Sequence, residues 1–176
     1  MEIRTRDYGL VDIDESSVIR FDDGIIGFEE YHEYALLDES GGRSPFRCLQ
    51  SLEDSGLAFI LMDPFFIKPD YEFTIDGEMA TRLSIDVSPE QCGVPPEQCG
   101  VSSAACGDIV ILTVAVVPED IAQATFNLKA PIVINANTKV GVQYIVDRND
   151  YGIRHYLAEE IDRAGGAYLR EGQAAV

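Results

Sequence analysis

The apolar positions of this chain fall in short runs that recur about every ten residues. Residues 46–50 (FRCLQ) and 83–87 (LSIDV) alternate apolar with polar, the period of a strand with one buried face. Residues 57–62 and 109–117 are continuous apolar runs, and the longer one, IVILTVAVV, predicts a fully buried strand. Weaker runs lie at 2–6, 18–21, 34–37, 125–128, 132–134 and 140–146. Turn formers separate them: Asp22, Asp23 and Gly24; Gly41 and Gly42; Pro64; Pro118, Glu119 and Asp120. Strands this short, with no long helical stripe between them, predict an all-β single domain. A small antiparallel barrel or sandwich with one or two short helices fits, and a parallel α/β sheet does not.

Helical signal is confined to three places. Residues 28–34 suit one turn. The segment 88–105 carries helix formers between Pro89, Pro95 and Pro96. Residues 157–164 place Glu159 and Glu160 early and Arg163 late, which complements a helix dipole, and Gly165 and Gly166 would stop the helix. The β domain is therefore expected over 1–156, followed by a helix and tail at 157–176.

One repeat interrupts the pattern: SPEQCGV at 88–94 is followed by PPEQCGV at 95–101 and a further Cys-Gly at 106–107. Cys92, Cys99 and Cys106 would share a helix face, but seven residues rise ~10 Å. One zinc, at ~2.3 Å per sulfur, does not span that. A tandem duplication in a tolerant connection explains the spacing, and no metal is expected.

Charge narrows the partners. There are 31 acidic residues against 13 basic ones, a net charge of −18. Residues 1–88 hold 20 of the acids and 7 of the bases. Such a surface repels nucleic-acid backbones and anionic membranes, and it speeds docking of basic proteins. It also serves solubility. Glu29, Glu30 and Glu33 are expected to contribute to the field. The longest apolar run is well short of a membrane span of about 20 residues, and residues 1–7 hold no signal-peptide core. A cytoplasmic protein with reduced cysteines is expected.

Catalytic signatures are missing. The chain has no phosphate loop, no Gly-x-Gly-x-x-Gly, no Gly-x-Ser-x-Gly and no His-Glu-x-x-His. Asp22 and Asp23 read as turn residues rather than an acid–base pair. By elimination the chain is a binding module without enzymatic activity or cofactor.

Several stretches resemble the bacterial flagellar assembly factor family FliW: FDDGIIGFE at 21–29, PFRCLQS at 45–51, Ala58 and Phe59 followed by Pro64, Pro69, Asp70 and Tyr71, and NLKAPIVIN at 127–135 followed by Gly141 and Gln143. They occur in the family's order over about residues 1–156, and the repeat at 88–106 replaces the family's short acidic helix. Read physically, Gly24 is free to take positive φ, and Phe21 and Phe28 flank the turn and can enter the core. Pro131 demands an edge or a bulge, and the amides of Asn127 and Asn135 can satisfy backbone groups beside it.

The resemblance implies a non-enzymatic regulator that binds the RNA-binding translational repressor CsrA and relieves its repression of flagellin synthesis. It also implies binding to flagellin, whose terminal segments are apolar helices and which displaces CsrA. No direct nucleic-acid or membrane contact is implied. The matching positions, candidates for partner binding or for the motif's own architecture, are Phe21, Gly24, Gly27, Phe28, Gln50, Ser51, Tyr71, Asn127, Pro131, Ile132, Asn135 and Gln143. Runs such as 132–134 and 140–146 would line an apolar groove for flagellin. The alternative is a small-molecule-binding β-barrel, carrier or enzyme, with the cysteine segment as its insert.

Overall fold

The computed structural model describes residues 1–38, 41, 44–85, 108–120 and 123–163, the last three of these by backbone alone. The strands are β1 (Glu2–Thr5), β2 (Gly9–Asp12), β3 (Ile19–Arg20), β4 (Glu33–Leu37), β5 (Phe46–Ser51) and β6 (Ala58–Met62). They continue with β7 (Ile109–Val116), β8 (Thr125–Phe126), β9 (Ile132–Asn135), β10 (Val140–Gln143) and β11 (His155–Tyr156). Two α-helices, α1 (Gly77–Arg82) and α2 (Leu157–Arg163), and two single 3-10 turns at Glu15–Ser17 and Pro64–Phe66 complete the described elements.

β3 to β7 pair antiparallel in chain order, β7 pairs β9, and β9 pairs β10. β10 then returns to β3 in parallel, with Val140 opposite Arg20. The cycle closes a seven-stranded barrel. The β1–β2 hairpin stands apart from this sheet. One edge of β7 serves two partners, β9 along its first half and β8 at its end. Ala115 faces Phe126 and Leu112 faces Ile132, so three steps along β7 oppose six along the other chain. The surplus is a bulge at 127–131. Pro131 falls there, where a residue without an N–H breaks no ladder.

Alternation along the strands divides the apolar residues into two cores. Phe21, Tyr34, Leu49, Leu61, Leu112, Ile132 and Ile134 come from around the cycle and fill the lumen. On the outer face, Met62, Ile111, Ala115, Phe126, Val133 and Val142 pack under Tyr71, Phe73, Ile75, Met79 and Leu83. The barrel is thus solid, and a ligand in its lumen is replaced by side chains.

The run at 83–87 is not a strand as far as it is described. Asp76 caps α1 by accepting from the Met79 N–H at 2.8 Å. The helix closes at Leu83, Ser84 turns to φ 53°, and the Ile85 N–H reaches the Ala80 carbonyl. Leu83 and Ile85 both enter the outer core, and this gives the segment its misleading alternation. Residues 28–34 form turns and the start of β4, not a helical turn. Gly27 takes φ 86°, and the Glu53 carboxylate accepts the N–H groups of His32 and Glu33. β7 is not wholly buried either, since Val116 is 64% exposed. The helix over 157–163 forms where the charge pattern put it. The duplicated cysteine segment lies outside the described residues.

Candidate partner-binding surfaces

Most motif residues hold the barrel together. Phe21 is buried, edge-on to Tyr34 at 5.3 Å. Gly24 sits at φ 66°, where a Cβ would lie 2.6 Å from the Glu29 backbone. The buried Gln50 carboxamide accepts the Arg6 N–H at 2.9 Å and donates to the Ser51 and Leu57 carbonyls at 3.0 Å, stitching the N-terminal hairpin to the barrel. Ser51 Oγ accepts from Glu53 and Asp54. Tyr71 donates to the Leu128 carbonyl at 2.7 Å, and burial pushes its hydroxyl pKa up. Asn127 Oδ1 accepts both the Lys129 and Ala130 N–H groups at 3.0 Å, which satisfies the bulge. Asn135 does the same for Asn137 and Thr138 and donates to the Leu83 carbonyl. Pro131 and Ile132 are buried.

The remaining motif residues converge on one end of the barrel. Phe28 does not enter the core. It is 37% exposed and rests edge-on against Phe59 at 5.2 Å. Gln143 accepts the Ile26 N–H at 2.9 Å, tying the turn that holds Gly27 to the last ladder strand. Beside them opens a groove of about 390 Å³ lined by Ile25, Ile26, Phe59, Val114, Asn127, Lys129, Ala130, Gln143, Ile145 and Ile153. Ile26, Ile145 and Ile153 are 56%, 60% and 70% exposed. Three large aliphatic side chains this exposed around one depression form a patch of the kind that marks an interaction site. The floor continues outward along the sheet. Val116, Thr125 and Tyr156 lie opposite one another across β7, β8 and β11, on the face that carries Val114. The run at 132–134 is core and lines nothing here, while Gln143 and Ile145 of the 140–146 run do.

The extended segment after β10 has two working faces. Its N–H groups at Tyr144 and Val146 donate to the bulge carbonyls of Pro131 and Lys129 at 2.9 Å, so alternation persists beyond Gln143. Gln143 and Ile145 face the groove. Tyr144, Val146 and Arg148 line a second cleft of about 360 Å³ with Glu72, Phe73, Thr74, Asp76 and Asp147. Phe73 and Tyr144 stack at 5.6 Å. Burial, then Asp76 and Asp147, push the Tyr144 hydroxyl pKa up. Arg148 donates to Asp150 at 2.8 Å and to Glu72 at 3.2 Å and lies 4.7 Å over the Tyr151 ring. Carboxylates beside aromatic faces are a cation-accepting lining.

Acidity also rims the loop over the barrel end. Glu53 is held below the usual carboxylate range by the backbone N–H groups it accepts, first from His32, and Glu29 by the Gly27 N–H. Glu30 and Glu33 are exposed beside them. Of the two isoleucines that finish the groove, Ile145 belongs to the 140–146 run, whereas Ile153 stands outside every run and motif, its only signal in the sequence being a lone apolar residue between Gly152 and Arg154. No helix among the described residues is long and apolar enough to cross a membrane.

The family model described as FliW protein matches residues 2–157. The flagellar assembly factor FliW of Alkaliphilus metalliredigens is 36% identical over 163 residues, covering 93% of this chain and 90% of that relative. The FliW of Caldanaerobacter subterraneus is 36% identical over 164 residues, covering 93% and 97%. A crystal structure of the flagellar assembly factor FliW superposes with a TM-score of 0.71 at 30% identity, covering 89% of this chain and 96% of that one. The closed barrel, the proline bulge and these matches over nearly the whole domain place the chain in the FliW family of flagellar assembly factors.

Proposed function

We propose that this protein is a cytoplasmic, non-catalytic regulator that binds flagellin and the repressor CsrA in turn and so couples flagellin level to flagellin synthesis. The observation that carries this reading is the two-faced segment 143–148, with an apolar groove on one side and an acidic aromatic cleft on the other. An apolar helix of flagellin matches the isoleucine-rimmed groove, as an amphipathic helix matches a hydrophobic groove. A repressor whose RNA-binding face is basic matches the acidic side, and the net charge of −18 supports its attraction. Occupying the groove displaces Gln143 and Ile145. Tyr144 and Arg148 move with them, because one stretch of backbone carries both sets.

Coupling of this kind is reciprocal, so each ligand weakens the other by the same factor. Calorimetric titration of each partner, alone and against the saturated complex, tests it. Ile145→Asp is expected to lose flagellin while CsrA still binds. A stable ternary complex with both affinities unchanged refutes the exclusive switch.

A further inference from the structure

A third depression shares no lining residue with either surface above and is the roomiest of the three, about 660 Å³. Its position follows from strand register. Leu37, Cys48, Ile60, Ala115, Phe126 and His155 stand opposite one another in a single row across six strands on the barrel's outer face. Ala115 and Phe126 are buried in the outer core. The other end of the row, Leu37, Cys48 and Ile60, is the floor of the depression, with Phe46 and Val117 as apolar walls. Its size and mostly apolar lining fall in the range of small-molecule sites.

Arg6 and Arg47 both line the same space, in a chain that has only 13 basic residues. Arg6 forks onto Asp7 through Nε and Nη2 and donates from Nη1 to the Ala58 carbonyl at 3.0 Å. Arg47 Nη1 donates to the Ser44 and Phe46 carbonyls at 2.6 and 3.0 Å, and its Nε lies 3.3 Å from Asp38. These contacts fix both groups in place without exhausting them. Arg47 Nη2 makes no hydrogen bond to a described residue. A planar donor already oriented loses little freedom when it takes an acceptor. Asp7 and Asp38 balance the two charges, and the net −18 opposes a polyanion, so the head group that fits carries one negative charge.

We infer that this depression is a binding site for a small amphipathic carboxylate, its head on Arg47 and Arg6 and its apolar body over Leu37, Cys48 and Ile60. The site is independent of the two protein partners. It also differs from a ligand-filled lumen, because it lies on the outside of the barrel.

Decanoate is the probe, titrated into the full chain by calorimetry, with decanol and acetate as controls for head and body. One saturable decanoate per chain is expected, with acetate inert. Arg47→Gln should weaken decanoate at least tenfold and leave decanol unchanged, and the groove variant Ile145→Asp should bind decanoate as the parent does. The unaltered protein supplies a second readout, independent of any variant's folding. Cys48 is the floor, so saturating decanoate should slow its alkylation by iodoacetamide several-fold, read at that peptide by mass spectrometry. Absence of saturable binding, equal binding by Arg47→Gln, loss in Ile145→Asp, or unprotected Cys48 would each overturn the assignment.

Discussion

Replacing Gly141 by alanine measures how completely the lumen is filled. A Cβ at this position would stand 2.5 Å from Phe21 Cζ and 2.8 Å from both Cε atoms. Carbon atoms touch at about 3.5–4.0 Å, so the ring must retreat by about 1 Å. Phe21 has no room to do so, being wholly buried with Tyr34 against its edge. Gly141 does not have the positive φ of Gly24 or Gly27, so a methyl group strains no backbone and the effect reports packing. Overfilling a close-packed core costs about 1–3 kcal/mol. At about 2 kcal/mol the melting temperature of a chain this long falls by about 4–8 °C. Urea unfolding followed by circular dichroism gives the free energy directly. The companion change, Phe21→Leu, leaves a hole in the same place. The double variant should therefore lose less than the sum of the singles, by about 1 kcal/mol or more. A loss below about 0.5 kcal/mol for Gly141→Ala, or strict additivity in the pair, would refute the packing argument.

Gln50→Ala strands the Arg6 N–H and the Ser51 carbonyl, while the Leu57 carbonyl keeps the Ser51 N–H. It should cost about 2–3 kcal/mol and raise hydrogen exchange at Arg6 before the rest of the barrel, which native-state exchange would show. The Tyr34 hydroxyl is buried with no hydrogen-bond partner among the described residues, so Tyr34→Phe should be neutral or stabilising by up to about 1 kcal/mol in urea unfolding. Burial pushes the Tyr34 pKa from 10 up to about 12, so the native state keeps its proton where the unfolded chain has lost it, and stability should fall as pH rises from 10 to 12. The Phe variant should show a shallower fall across that window, and an identical slope would remove Tyr34 from the account. The association rate with CsrA should drop between low and high salt in stopped-flow mixing, because exposed acidic residues act over ~8 Å at physiological ionic strength. A flat rate would dismiss steering by the −18 surface.

Several features of this protein are decided locally and are therefore legible in the chain. Alternation and apolar runs mark β5, β6 and β7 because each face of a strand keeps one environment over its length. Pro131 announces a bulge because a residue without an N–H cannot sit in a ladder, and Asn127 satisfies the groups that the bulge frees. Glu159 and Glu160 fall in the first turn of the last described helix, where they complement its dipole. The net acidity follows from counting alone. The ordered motifs carry the family, but in the fold most of their residues turn out to be architecture.

What only the tertiary structure decides is what each side chain faces. Ile132 and Ile145 look equivalent in the sequence, yet the first is buried in the lumen and the second is 60% exposed at the groove. The difference arises because β9 is enclosed by β7 and β10, whereas the chain beyond Gln143 runs past the barrel's end. The pairing of β10 with β3 joins residues some 120 positions apart in the chain, and no local pattern encodes that closure. Leu83 and Ile85 mimic a strand because two residues flanking a helix cap can enter the same core without alternating on a sheet. Surfaces depend on which residues the closed fold leaves uncovered. Ile26, Ile145 and Ile153 become a site only once the barrel brings their three segments to one rim.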